Sequence, residues 1–290
     1  MPYPHFDPVA FKVGPVPVHW YGLMYILGFI AEYQVLRWQN RVRNLGLDDN
    51  DISDFVGHLI MGVILGGRLG YVLLYNPAQY LARPWEIAYV WQGGMAFHGG
   101  LIGTILAGWW WSRKKGIPFS AIADITVVGV PIGLALGRFG NFINGELWGK
   151  VTDVPWAMVF PTAPTPWAPD GLPRHPSQLY ELLLEGIALL AILVFYSTRK
   201  PPNGALFGTF LAGYGLIRFT IEFFRNPDHQ FVTPTNPTGA VLGPLSMGQT
   251  LSLPMVLGGI ALIAWAYWRR DGGGKRSPNN SFTQISPEAQ

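Results

Sequence analysis

Seven apolar runs, each close to the length of a bilayer crossing, decide what this 290-residue chain can become. They fall near residues 18–36, 56–75, 93–111, 120–138, 178–196, 204–222 and 251–268. A helix needs about 20 predominantly apolar residues to cross the hydrocarbon core. In that core each backbone N–H and C=O must be satisfied within the segment, which makes helices of such runs. The expected fold is all-α: a polytopic membrane bundle of seven transmembrane helices.

Composition agrees. Only 13% of the residues are charged, where a soluble domain carries about 25%. Mean hydropathy is positive, +0.23. A net charge of +3 gives no sign of a nucleic-acid partner. With no cysteine in the chain, disulfides, thiolate metal sites and a cysteine nucleophile are excluded. The first 17 residues lack a basic start and a small-residue cleavage site, so no removable signal peptide is expected.

Basic residues orient the bundle. One set of loops carries Arg37, Arg41 and Arg43, then Arg113, Lys114 and Lys115, then Arg199 and Lys200, and finally Arg269, Arg270, Lys275 and Arg276. The opposite set carries only Lys12, Arg83, Lys150, Arg174 and Arg225. The richer side belongs in the cytoplasm, with the N-terminus periplasmic and the C-terminus cytoplasmic. Residues 1–270 then form one integral membrane domain with a periplasmic loop at 141–177. Residues 271–290 are polar and read as a disordered cytoplasmic tail.

This orientation gathers polar side chains at the outer ends of the spans. They are Tyr21 in span 1, Arg68 in span 2 and His98 in span 3. Arg138, Asn141, Asn144 and Glu146 lie at or after the end of span 4, and Tyr214, Arg218 and Glu222 share one face of span 6. Ionisable groups at membrane depth are costly and mark functional sites by default. Each also has a plainer reading. Arg218 and Glu222 are spaced for a structural ion pair, Tyr21 and Tyr25 suit an interfacial aromatic belt, and His98 suits simple packing. Glu32 and Asp124 look structural. The many glycines in the spans suit close helix packing or, alternatively, approach to a lipid headgroup. A transporter of an anionic solute is a competing reading, although it would need polar groups through the full depth.

The segment GRFGNFINGELWG, residues 137–149, resembles the signature of the bacterial prolipoprotein diacylglyceryl transferases. HWYGLMY, GGRLGYVL, GGMAFHGGLIG, LPRHPSQLYE, YGLIRFTIEFFR and MGQTLSLPM resemble further blocks of that family, in the family's order. The resemblance covers nearly the whole chain and is weakest between Trp156 and Arg174. It implies transfer of the diacylglyceryl group of phosphatidylglycerol to the lipobox cysteine thiol of a prolipoprotein. A thioether forms and glycerol 1-phosphate leaves, in the first step of lipoprotein maturation. It also implies a bacterial inner-membrane enzyme facing the periplasm, surrounded by membrane lipids, with no metal and no cofactor. Carried over residue by residue, it makes Arg138 the phosphatidylglycerol-binding arginine, His98 and Asn141 essential, and Arg218 the second arginine. Tyr21, Glu146, Gly149 and Glu222 fall on motif positions. Tyr214 and Arg68 are grouped with the lipid-binding residues.

The chemistry of such a transfer fits these residue types. A thiolate must attack the glycerol carbon that bears the phosphate ester. Fixed guanidinium donors at Arg138 and Arg218 would stabilise the charge developing on the departing phosphate. A thiol, with an ordinary pKa of about 8.5, needs a base, and His98 is the candidate because imidazoles titrate near working pH. Asn141 and Tyr21 would orient the headgroup.

Overall fold

The computed structural model describes residues 1–163, 171–227, 232, 236 and 238–273. Helices occupy all seven apolar runs. They are α1 (Trp20–Arg43), α2 (Asp49–Leu74), short α3 (Pro77–Ala82), α4 (Phe97–Lys115), α5 (Phe119–Thr126), α6 (Val130–Ile143), α7 (Ser177–Glu181), α8 (Leu189–Thr198), α9 (Ala205–Ile221) and α10 (Met247–Gly273). A π-helical turn, Leu182–Ala188, joins α7 to α8.

Among the described residues, three helices are long and apolar enough to cross a bilayer: Asp49–Leu74, Ser177–Thr198 and Met247–Arg270. The fourth run is not the straight span expected at 120–138. It is broken into α5 and α6, which meet at 41° and make a fourth crossing if taken together. The cause lies at Gly129–Val130–Pro131: proline has no N–H to give the preceding turn, and its ring clashes there. The Glu32 carboxylate also fills the space beside Gly129, where even a methyl group would collide with it. Of the other helices on these runs, α9 has 17 residues, while α1 and α4, with 24 and 19 residues, are long enough but not apolar enough by the same measure. The last helix runs to Gly273, three residues into the expected tail; the rest of that tail lies outside the described residues.

The fold is not purely helical. Strands Val9–Val13 and Val16–His19 pair antiparallel, as do Ala240–Leu242 and Leu245–Ser246. Each pair turns through a Gly-Pro dipeptide, with Gly14 at φ 58° and Gly243 at φ 57°. A glycine of positive φ in the first central position is what a two-residue type II′ hairpin demands. That signal was present in the sequence and is overshadowed by the apolar runs.

Helices α2 and α4 pack through glycine. A Cβ on Gly62 would sit 2.7 Å from the Gly103 carbonyl oxygen, and one on Gly70 would sit 2.7 Å from the Gly99 Cα. These glycines therefore serve packing, as small residues do between membrane helices. Gly133 and Gly137 differ: a Cβ on either would meet nothing within 4 Å. Gly103→Val is expected to force α2 and α4 apart and cost about 1–3 kcal/mol or more. A lower thermal midpoint in detergent checks this, and an unchanged midpoint refutes it.

Three buried clusters hold the described residues together, one of them joining Tyr3, Phe142, Trp148 and Phe160 at the end of α6. A second joins Leu36, Phe55, Trp111 and Ile122 from α1, α2, α4 and α5. Another joins Val128, between α5 and α6, to Leu189 and Leu193 of α8 and Leu206 of α9. Large apolar side chains such as Leu65, Leu69, Leu73 and Phe195 are exposed, as suits surfaces that face lipid. Asp124 is fully buried and structural, as expected. It accepts the Gly204 and Phe207 amides at 2.9 Å each and lies 3.2 Å from Arg43 Nη1. A carboxylate so placed neutralises the positive N-terminal end of α9 and ties it to α1.

Candidate active site

The C-terminal end of α6 opens into a loop that other segments pin in an uncommon conformation. Gly145 has φ 66° and Leu147 has φ 60°. The left-handed region is costly for a leucine and persists only where neighbours over-determine it. Here they do: Gln178 Nε2 donates to the Glu146 carbonyl at 2.6 Å, and Ser177 Oγ donates to the Leu147 carbonyl at 2.9 Å. Beyond them the Gly149 amide donates to the His175 carbonyl at 2.8 Å, and the Lys150 amide to the Phe224 carbonyl at 2.8 Å. A Cβ on Gly149 would lie 2.5 Å from the Phe224 carbonyl oxygen and 2.7 Å from the His175 Cβ. Gly149 is thus the crossing point of three strands of backbone, and no larger residue fits.

Within this loop, Glu146 Oε1 accepts from Asn141 Nδ2 at 2.9 Å and from Asn144 Nδ2 at 3.1 Å. Asn141 is buried. The Tyr21 ring lies directly over Gly140, where a Cβ would come within 2.8 Å of it, and packs edge-on against Tyr25 at 5.3 Å. Tyr21, Asn141, Glu146 and Gly149 therefore share one end of the bundle.

One turn earlier in α6, Arg138 faces two fully buried carboxylates. Its Nε is 3.1 Å from Glu181 Oε2, and its Nη2 is 3.6 Å from Glu185 Oε2. Arg218 of α9 donates from Nη1 to the other Glu181 oxygen at 2.6 Å, and its Nη2 is 3.1 Å from Glu222 Oε2. Ser246 Oγ donates to Glu222 Oε1 at 3.0 Å. Gly248, in the first turn of α10, leaves the room this carboxylate needs: a Cβ there would come within 2.6 Å of it. Tyr214 stacks on Phe210 at 5.8 Å and lies within electrostatic reach of Glu185, Arg218 and Arg138. The Arg218–Glu222 ion pair is real, and it is one link of a chain running from Arg138 to Ser246.

Two candidates stand outside this chain. His98 is exposed in the first turn of α4 and packs edge-on against Phe97 at 5.6 Å. Among the described residues it makes no hydrogen bond. Arg68 is buried, and all three of its nitrogens donate to backbone carbonyls. Nε reaches Ile87 at 2.9 Å, Nη1 reaches Gly93 at 2.6 Å and Nη2 reaches Glu86 at 2.6 Å. It holds the segment that leads directly into His98.

Sequence reasoning missed Glu181 and Glu185. Their signal was available, since two acids four residues apart in an apolar run are as expensive at membrane depth as the arginines were.

An α-helical membrane protein with paired arginines and carboxylates buried at one end of its bundle is the class that fold and site define. The family model for prolipoprotein diacylglyceryl transferase matches residues 8–265, and the chain belongs to that family. Relatives named phosphatidylglycerol–prolipoprotein diacylglyceryl transferase include one from Geobacter sulfurreducens, 51% identical over 272 residues, covering 94% of this chain and 100% of the relative. Others come from Bordetella avium, 51% identical over 90% of this chain and 95% of the relative, and from Vibrio vulnificus, 49% identical over 93% and 94%.

Proposed function

We infer that this chain transfers the diacylglyceryl group of phosphatidylglycerol to the lipobox cysteine thiol of a prolipoprotein, giving a thioether and glycerol 1-phosphate. Membership of the family and the names of relatives that match it end to end support the reaction; nothing supports the transport alternative. The observation that carries the site is the pair of guanidiniums, Arg138 and Arg218, joined through one carboxylate and held in place by ion pairs.

In this reading the lipid phosphate meets Arg138 and Arg218. Asn141, Glu146 and Tyr21 shape the headgroup pocket beside them. Gly149 keeps the loop closed over it, and Glu222 and Tyr214 flank Arg218. His98 takes the thiol proton as the sulfur attacks the glycerol carbon, and the phosphate leaves against the guanidiniums, which need no reorganisation at that moment. Arg68 contributes by fixing the entry to α4. Purified protein with phosphatidylglycerol and a lipobox peptide should give a peptide heavier by one diacylglyceryl group. An unmodified peptide, with the protein folded, would overturn the reaction.

The enzyme sits in the inner membrane with seven crossings and its site toward the periplasm. Reporter fusions after residues 45, 115 and 200 are expected to read cytoplasmic, and fusions after 85 and 165 periplasmic, from the asymmetry of basic residues. The inverse pattern would put the arginines on the wrong leaflet.

A further inference from the structure

Arg138 has two carboxylate neighbours that hold it in different ways. Glu181 is bridging: its Oε1 accepts from Arg218 Nη1 at 2.6 Å, and its Oε2 lies 3.1 Å from Arg138 Nε in an ion pair that lacks hydrogen-bond geometry. Glu185 is loose: its closest approach to Arg138 is 3.6 Å, beyond hydrogen-bond reach, and neither of its oxygens has a hydrogen-bond partner among the described residues. Both acids are fully buried. A buried charge left without hydrogen bonds is costly, so Glu185 calls for a reason.

The backbone points to one. Glu185 sits inside the π-helical turn Leu182–Ala188. Such turns are rare and concentrate at functional sites. The next residue, Gly186, presses on α6: a Cβ there would lie 2.5 Å from the Ala135 Cβ. The turn therefore brings the Glu185 carboxylate up to Arg138 from the side.

The nitrogens of Arg138 divide accordingly. Nε lies nearest Glu181, at 3.1 Å. Nη2 lies 3.6 Å from the loose Glu185, and among the described residues neither terminal nitrogen makes a hydrogen bond. The two terminal nitrogens form the fork that grips a phosphate with two parallel bonds.

We propose that Glu181 is the positioning residue that fixes both guanidiniums, and that Glu185 is a resident anion whose place on Arg138 Nη2 the lipid phosphate takes. The proposal rests on the transferase reading and deepens it. After the exchange Glu185 still feels the attraction of Arg218 and Arg225, set against the repulsion of Glu181. Until then it lies against Arg138 Nη2, beside the ion pair that Arg138 makes with Glu181. The same charge opposes an incoming anion, and this sets the selectivity: only a ligand that grips both terminal nitrogens displaces it.

Two variants separate the roles, measured in the full chain reconstituted in nanodiscs. Glu185→Gln removes the competing charge and is expected to bind phosphatidylglycerol about three- to tenfold more tightly. Affinity for zwitterionic phosphatidylcholine should stay unchanged. Glu181→Gln unties the bridge and is expected to lower kcat for lipobox-peptide transfer about 100-fold, as a displacement of about 1 Å would, with a smaller change in KM for the lipid. Unchanged or weaker phosphatidylglycerol binding in Glu185→Gln would overturn the exchange. Equal losses in both variants would reduce both acids to fold support. Should Glu185→Gln not fold, Glu185→Met makes the same change of charge; failure of both would show that the charge serves the fold and defeat the proposal. Lipid binding is read without turnover, so a wild-type protein that binds phosphatidylglycerol yet transfers nothing would fail the transferase reading alone.

Discussion

Replacing Arg138 by alanine is expected to abolish diacylglyceryl transfer, with a fall in kcat of at least about 10²–10³-fold, the range seen when one fixed donor to a developing anion is lost. Among the described residues the guanidinium is the one ion-pair partner of Glu185, and it shares Glu181 with Arg218. Its removal therefore does two things at once. The lipid phosphate loses its fork, and two buried carboxylates lose a counter-charge. Breaking a buried ion pair from one side costs about 3–5 kcal/mol, so the alanine variant should also melt earlier. Arg138→Lys separates the two effects. Lysine keeps the positive charge beside Glu181 and Glu185, and should recover most of the stability. It cannot reproduce two parallel donors in a plane, so activity should stay low. Transfer in mixed micelles, set beside thermal unfolding of the same preparations, checks both statements. A lysine variant with near-normal turnover would mean that charge alone suffices and that the fork has no role. An active alanine variant would remove Arg138 from the mechanism.

Helix placement was legible because apolar length is a strong and redundant signal: helices cover all seven runs, and helix α2 departs from its expected start only because Asp48 caps it earlier. Asp48 Oδ1 accepts the Asp51 amide at 2.7 Å while Asp51 reaches back to the Asp48 amide, a reciprocal cap written in polar residues outside the apolar run. The break at Gly129–Pro131 was less legible. Proline is common in membrane helices, and whether it kinks or ends one depends on neighbours such as Glu32, which come from another part of the chain. At the site, Arg138, Arg218 and Glu222 could be named because each is conspicuous against its apolar surroundings. Their actual wiring could not. It runs through Glu181, which contacts Arg138 across 43 residues and Arg218 across 37, and pairing at that distance is a property of the packed bundle. Arg68 shows the converse. Grouped with the lipid-binding residues from sequence, it donates to the backbone of the 86–94 segment, and carbonyls carry no sequence signature.

His98 yields the other large effect. His98→Gln is expected to collapse the transfer rate while leaving phosphatidylglycerol affinity nearly unchanged. The imidazole is exposed at the start of α4, clear of the arginine–carboxylate chain. In the proposed reading it stands apart from the groups that hold the lipid phosphate, and its exposure leaves it open to an incoming peptide. A base must come within hydrogen-bond distance of the proton it takes, and in a site without substrate that contact need not yet exist. Glutamine keeps the size and one hydrogen-bonding end but cannot accept a proton at neutral pH. The thiol would then have to ionise unaided. Its thiolate fraction rises about tenfold per pH unit below its pKa near 8.5, so the variant's rate should climb between pH 7 and pH 8.5 more steeply than the wild type's. The measurement is a pH–rate profile with a lipobox peptide, together with lipid affinity, in both proteins. If lipid binding weakens and alkaline pH restores nothing, His98 orients the lipid or the helix end, and the proton goes elsewhere. If the rate recovers with pH while affinity holds, the base is assigned, and the site divides cleanly. In that outcome the arginines of α6 and α9 would hold the leaving group and the histidine of α4 would prepare the nucleophile.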